Sequence, residues 1–298
     1  MVWQPVVVGV DSSEASQRAV TVGWAVAQTA GASFQCVHAV RDLWAALRDL
    51  SETAAATVGG SPLPVLPSHD DPLTERRHEE TATRLLAHLP PEAAGHLRIV
   101  TGRPAAALAH VAREAEAELA VIGGKHHPGL GRWVIGSTAH SLVRRLQCPL
   151  LVVGDAPATV SRVMAAVDLS EAAPGILDVA QRYAALFEAA FAAIHVIEEV
   201  PAPDGATAPG IEPAEFARIS REILANSIWP ALTLPHAETL VRQGPRLETL
   251  RKEIEDWKPD LVVVGSHGKG FDDRVLLGGL TEALLNDLPA SLLVVPVD

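Results

Sequence analysis

The sequence predicts an α/β protein made of two tandem doubly wound domains, each a five-stranded parallel sheet with helices on both faces. Three observations carry that prediction. The chain is written twice: VVVGVDSSEAS at 6–16 returns as MAAVDLSEAAP at 164–174, placing Asp11 and Asp168 157 residues apart. LAVIGG at 119–124 returns as LVVVGS at 261–266, and Gly123/Gly265, Gly136/Gly278 and Leu150/Leu292 all keep an offset of 142. The two offsets differ by 15, so the second copy is shorter by that much in its middle. Such self-similarity is the mark of a duplicated unit. Aliphatic runs then alternate with helix-like segments, and the runs are continuously apolar, as in parallel strands buried on both faces. Right-handed crossovers complete the doubly wound arrangement. The predicted domains are 1–155 and 160–298, joined by the linker GDAPATVS at 154–161.

The elements follow in order. Residues 5–10 read as a Val-rich strand, and Asp11, Ser12, Ser13 and Glu14 start a helix that runs to about Ala30, because side-chain oxygens there can satisfy free amides. Strands are predicted at 34–40, 98–101, 119–123 and 150–153, with helices at 105–116 and 137–145. The second copy repeats the strands at 162–167, 190–197, 238–242, 261–265 and 292–295. Between the second and third strands lie Pro/Gly-rich stretches, 58–72 and 200–213, which read as surface loops before a helix, either lids or tolerated insertions. The last strands, 150–153 and 292–295, are expected at sheet edges, where unpaired backbone invites pairing. Tandem copies can satisfy that need inside one chain as a pseudo-two-fold pair, and two chains can associate further as a homodimer.

Composition narrows the function. With 298 residues, each copy is large enough to bury its own core, and 48% apolar but only 4% aromatic residues indicate Ala, Val and Leu packing of helices on sheets. No apolar run reaches membrane-span length, and the N-terminus lacks a signal-peptide layout, so no membrane association is expected. Cys36 and Cys148 sit in strand-like apolar runs and read as buried thiols, which suits a reducing cytoplasm. A net charge of −12 argues against nucleic acid as a partner, since phosphate neutralisation needs a basic face.

In an open parallel sheet, ligands bind at the carboxyl ends of strands where strand order reverses. Three features of each copy converge there: an acid after strand one (Asp11 or Asp168), a glycine after strand four (Gly123 or Gly265), and a glycine opening the next helix (Gly136 or Gly278). Glycine lets backbone amides approach phosphates, a helix N-terminus adds free N–H groups, and a carboxylate can accept from ribose hydroxyls. Together they outline a nucleotide pocket.

The segment GSHGKGFDDRVLLGGLT at 265–281 resembles the signature of universal stress proteins, in which Gly, two residues, Gly, nine residues and Gly-Ser/Thr follow strand four. The likeness extends to the acid after strand one, the His-containing second strands (Val37-His38-Ala39 and Ile194-His195-Val196) and the Leu-Leu-Val-Val endings, and so covers nearly the whole chain. The resemblance implies an adenine nucleotide alpha hydrolase-like fold, an ATP ligand, a regulatory role in stress response, and at most slow hydrolysis. Its ATP contacts fall on Gly9, Asp11, Ala39, Ile122, Gly123, Gly136, Ser137 and Thr138 in the first copy, and on Asp168, Val196, Val264, Gly265, Gly268, Gly278 and Thr281 in the second. Each copy departs once: His126 stands where the second glycine belongs, and Gly279 where the Ser or Thr hydroxyl belongs. A histidine forced to positive φ would cost roughly 1 kcal/mol. A nucleotide-free structural protein with degenerate sites is the alternative.

Arg132 and Arg274 are equivalent positions in the nine-residue gap, and either neutralise phosphates or are solvated loop charges. Asp272 and Asp273 either help hold Mg²⁺ on a nucleotide or are simply solvated. His38 and His195 read as hydrogen-bonded structural histidines. The chain has no P-loop lysine motif, no nucleophile elbow and no metal-ligand set, which argues for binding over chemistry.

Overall fold

The computed structural model describes residues 4–40, 72–127, 132–134, 137–155, 157–198, 213–267 and 277–297. In the first half the strands of the main sheet are β1 (Val6–Gly9), β2 (Phe34–Val40), β3 (Leu97–Thr101), β4 (Leu119–Gly123) and β7 (Leu150–Val153). A separate antiparallel hairpin of β5 (Lys125–His127) and β6 (Arg132–Val134) interrupts them. The second half supplies β8 (Arg162–Ala166), β9 (Ala190–Ile197), β10 (Glu238–Gln243), β11 (Leu261–Gly265) and β12 (Ser291–Val295). The two halves share one ten-stranded sheet in the order β10-β9-β8-β11-β12-β7-β4-β1-β2-β3. Within each half the order is third, second, first, fourth, fifth, with all neighbours parallel. The doubly wound arrangement read from the sequence is therefore present twice.

The join bears out the expected pairing of the tandem copies within one chain and corrects the placing of the last strands at sheet edges. β7 and β12 are edges only of their own half; in the whole chain they pair antiparallel with each other, Leu292 to Val152, Leu293 to Leu151 and Val294 to Leu150. The edges left among the described strands are β3 and β10. A homodimer through the last strands thus has no free strand to use, because the tandem copy already occupies it.

Alternation along the strands divides the core into two layers. Val6, Val8, Leu119, Val121, Leu151 and Leu293 belong to one cluster, with residues of the helices Glu14–Ala30 and Ala173–Leu186. Val7, Ala120, Ile122, Leu150, Val152, Leu292 and Val294 belong to the other, with residues of the helices Pro104–Glu114, Ser137–Val143, Arg246–Trp257 and Gly279–Asp287. Period-two side-chain placement makes adjacent residues serve opposite faces, and both faces are apolar. Each layer crosses the β7–β12 join, so the core is continuous through both halves.

Helix Glu14–Ala30 begins where predicted. Ser13 is its N-cap, with Oγ accepting from the Ser16 amide at 3.3 Å, and Gly31 at φ 64° ends it by turning its N–H back to Ala27 and Gln28. Both Cys36 and Cys148 are buried free thiols, pushed up to about 12 and about 11 by desolvation. Of the predicted loops 58–72 and 200–213, all but Pro72 and Pro213 lie outside the described residues, and those two prolines open the helices Pro72–Leu86 and Pro213–Ile223.

Candidate nucleotide sites

Each half has a cleft at the carboxyl ends of its first and fourth strands, the point where strand order reverses. The first has a volume of about 360 Å³, and six of the predicted residues line it: Gly9, Asp11, Ala39, Ile122, Gly123 and Thr138. The second has about 120 Å³ and gathers Asp168, Val196, Val264, Gly265, Gly278 and Thr281. Gly136, Gly268 and Arg274 lie outside the described residues, and Arg132 and Ser137 are described in backbone only. The second cleft is smaller for a visible reason. Ile176, Ile194 and Arg246 line it at positions where the first half carries Ala19, Val37 and Pro104.

The acids after the first strands have local work. Asp11 Oδ1 accepts from the Ser13 amide at 2.9 Å and from the Ser13 hydroxyl, while the Asp11 amide donates to Ser16 Oγ at 2.9 Å. Asp168 Oδ1 accepts from the Ser170 amide at 3.0 Å. Each carboxylate is thus fixed at the mouth of its cleft by the turn that follows its strand.

The histidines behind the acids are a repeated structural device. His38 Nδ1 donates to the Val10 carbonyl at 2.7 Å, and His195 Nδ1 donates to the Val167 carbonyl at 2.8 Å. Val10 and Val167 each precede the cleft acid, so the bond pins the end of the first strand to the second. Burial holds His195 below the usual imidazole range, against the raising effects of the Val167 bond and of Asp168.

Packing explains Gly123 before any ligand does. A Cβ there would stand 2.2 Å from the Ala15 carbonyl oxygen, because the start of helix Glu14–Ala30 rests on the end of β4. At Gly265 the hypothetical Cβ would meet Ile176 Cδ1 at 2.8 Å. Gly102 at φ 146° and Gly244 at φ 139° occupy the same turn after the third strand of each half, a conformation that needs glycine. The sequence reading missed these two, although their shared offset of 142 was available as a signal.

The second cleft shows the features an anionic ligand would use. Helix Gly279–Asp287 starts at Gly278 with no side-chain cap among the described residues, as an N-terminus that can present amides to a ligand does. The Gly278 amide donates to the Ser266 carbonyl at 3.0 Å, tying the helix start to the end of β11. Nε2 of His267 is buried, lines the cleft region and has no partner among the described residues, while its Nδ1 is 3.0 Å from Ser266 Oγ. The Thr281 hydroxyl is already used: it donates to the Gly265 carbonyl at 2.7 Å. Thr281 is the equivalent of Ala139, so the first half lacks this tie. His126 lies in β5, and it is not among the positive-φ residues, so the strain considered for it does not arise.

The Universal stress protein family profile matches residues 3–154 and again 159–296. The chain belongs to this family. A universal stress protein of Mycobacterium tuberculosis (strain H37Rv) is 28% identical over 180 residues, which cover 57% of this chain and 59% of that protein. The chain thus matches little more than half the length of its mycobacterial relatives. One from Thermus aquaticus is 28% identical over 134 residues, 45% of this chain but 96% of that protein, as one unit of a tandem would be. The crystal structure of a universal stress protein from Archaeoglobus fulgidus superposes with a TM-score of 0.62 at 16% identity, covering 98% of both chains, and so shares the fold. Among the described residues, no helix is long and apolar enough to cross a membrane.

Proposed function

We propose that this universal stress protein binds ATP in its two clefts and acts as a nucleotide-dependent regulator in a cytoplasmic stress response, with little or no catalysis. The observation that carries the reading is the recurrence, in both halves, of an acid, a strand-four glycine and a cleft at the strand-order switch. The residues present fit the ligand. The uncapped helix start at Gly278 suits a phosphoryl group, the buried Nε2 of His267 offers a polar contact, and Asp11 and Asp168 suit ribose hydroxyls. Asp272 and Asp273, the candidates for a divalent ion on the nucleotide, lie outside the described residues. We take the functional units as 1–155 and 160–298. Two chains would associate through β3 or β10, the sheet edges that remain among the described strands.

A second reading, a nucleotide-free interaction protein with degenerate sites, draws on the small second cleft and on the Thr281 hydroxyl being bonded to Gly265. Denaturing the freshly purified protein and analysing the supernatant for nucleotide separates the two. Released ATP supports the first reading. No released nucleotide, together with no thermal shift on adding ATP in the millimolar range, supports the second.

A further inference from the structure

Away from both clefts, the first half carries an open trough of about 600 Å³ beside the C-terminal parts of helices Pro104–Glu114 and Ser137–Val143. Its residues immediately precede β4 and β7, so it lies at the amino ends of those strands, opposite the nucleotide cleft. Ala109, Ala112 and Cys148 give it an apolar lining, Arg113 and Arg145 supply guanidinium groups and His110 an imidazole, and Glu116 is the one acidic residue that lines it.

The donors are available. Arg145 Nε donates to Ser141 Oγ at 3.1 Å, and Arg113 Nη2 donates to His110 Nδ1 at 3.0 Å. A guanidinium carries only N–H donors, so His110 Nδ1 is the acceptor of this pair. Neither arginine meets a carboxylate among the described residues, in a chain with 36 acidic and 24 basic side chains. Arg98, Arg182, Arg242, Arg246 and Arg251 all do.

The duplication provides an internal control. Ala109 and Arg145 correspond to Arg251 and Asp287, which form an ion pair at 3.0 Å across the same place in the second half. The second half is bridged there. The first half has alanine where the second has that arginine and arginine where the second has that aspartate, which leaves a gap with guanidinium groups beside it.

We propose that this trough binds a small dianion with a short apolar body, of the phosphomonoester or dicarboxylate class. Guanidinium groups match the planar oxygen pairs of such anions, and the alanines leave room for a few carbon atoms. The proposal does not depend on the nucleotide reading.

The test uses the full chain titrated with glycerol 2-phosphate and, separately, succinate, observing the His110 ring protons by NMR, assigned by their loss in His110→Gln. The expected result is a saturable shift with at least one probe, weakened about tenfold or more in Ala109→Arg/Arg145→Asp, which installs the bridge of the second half. Arg145→Gln should weaken it several-fold and gives an independent reading should the double variant misfold. No saturable shift with either probe, or the same saturation curve in the variants, overturns the proposal.

Discussion

Leu151 of β7 stands opposite Leu293 of β12, and the two occupy the same position of the repeat. Their neighbours mirror one another: Val152 faces Leu292 and Leu150 faces Val294, where Leu150 is equivalent to Leu292 and Val152 to Val294. The join is self-complementary, as an interface between two identical subunits would be.

That symmetry predicts how one half behaves alone. Residues 1–155 would expose β7 along its open side, and the strand that accepts β12 can accept a second β7 in the same register. Sedimentation of this fragment should show a dimer, and Leu151→Lys should make it monomeric. A monomeric parent fragment would show that the join depends on features peculiar to the second half.

Gly123→Ala should destabilise the protein by roughly 1–3 kcal/mol, since the added carbon meets backbone of helix Glu14–Ala30 rather than a yielding side chain. Gly279→Ala, whose added carbon meets nothing within 4 Å, should be neutral or stabilising by up to about 1 kcal/mol. Urea unfolding of both variants measures the contrast. Equal effects at the two positions would contradict the packing account.

The lowered proton affinity of His195 sets a pH dependence. The fold favours the neutral ring, so an unfolded chain takes up a proton at a higher pH than the native one does. The stability contributed by this site is complete above the ordinary imidazole value of 6.5 and falls as pH drops from there toward the native value. Urea midpoints between pH 7.5 and pH 5 should therefore decline more steeply in the parent protein than in His195→Gln. Parallel profiles would exclude His195 as the source.

Much of this architecture is legible in the sequence, for physical reasons. Phe34–Val40, Leu119–Gly123, Ala190–Ile197 and Leu261–Gly265 are strands over the residues predicted, because runs of Val, Leu and Ile buried on both faces leave a continuous apolar signal. Ser13 and Gly31 mark their helix ends through side-chain and backbone chemistry that is local in the chain. What escaped leaves no apolar run or repeat of its own in the sequence. That the last strands can pair inside one chain is legible from the duplication, but the antiparallel register of β7 on β12 is not. The β5–β6 hairpin hides in a stretch that reads only as a glycine turn. The π-helical turn at Leu224–Ile228 likewise has no sequence periodicity of its own. In the clefts, twelve of the residues that the family resemblance implied line the two cavities. The resemblance did not reveal that Gly123 answers to Ala15, or that the Thr281 hydroxyl is bonded to Gly265.

Equilibrium dialysis of the full chain against labelled ATP tests the central claim most directly. Saturable binding is predicted for the parent protein, with loss of that binding in Gly136→Glu/Gly278→Glu while the far-ultraviolet circular dichroism is kept. An absence of binding by the parent protein, or undiminished binding by the double variant, would contradict it.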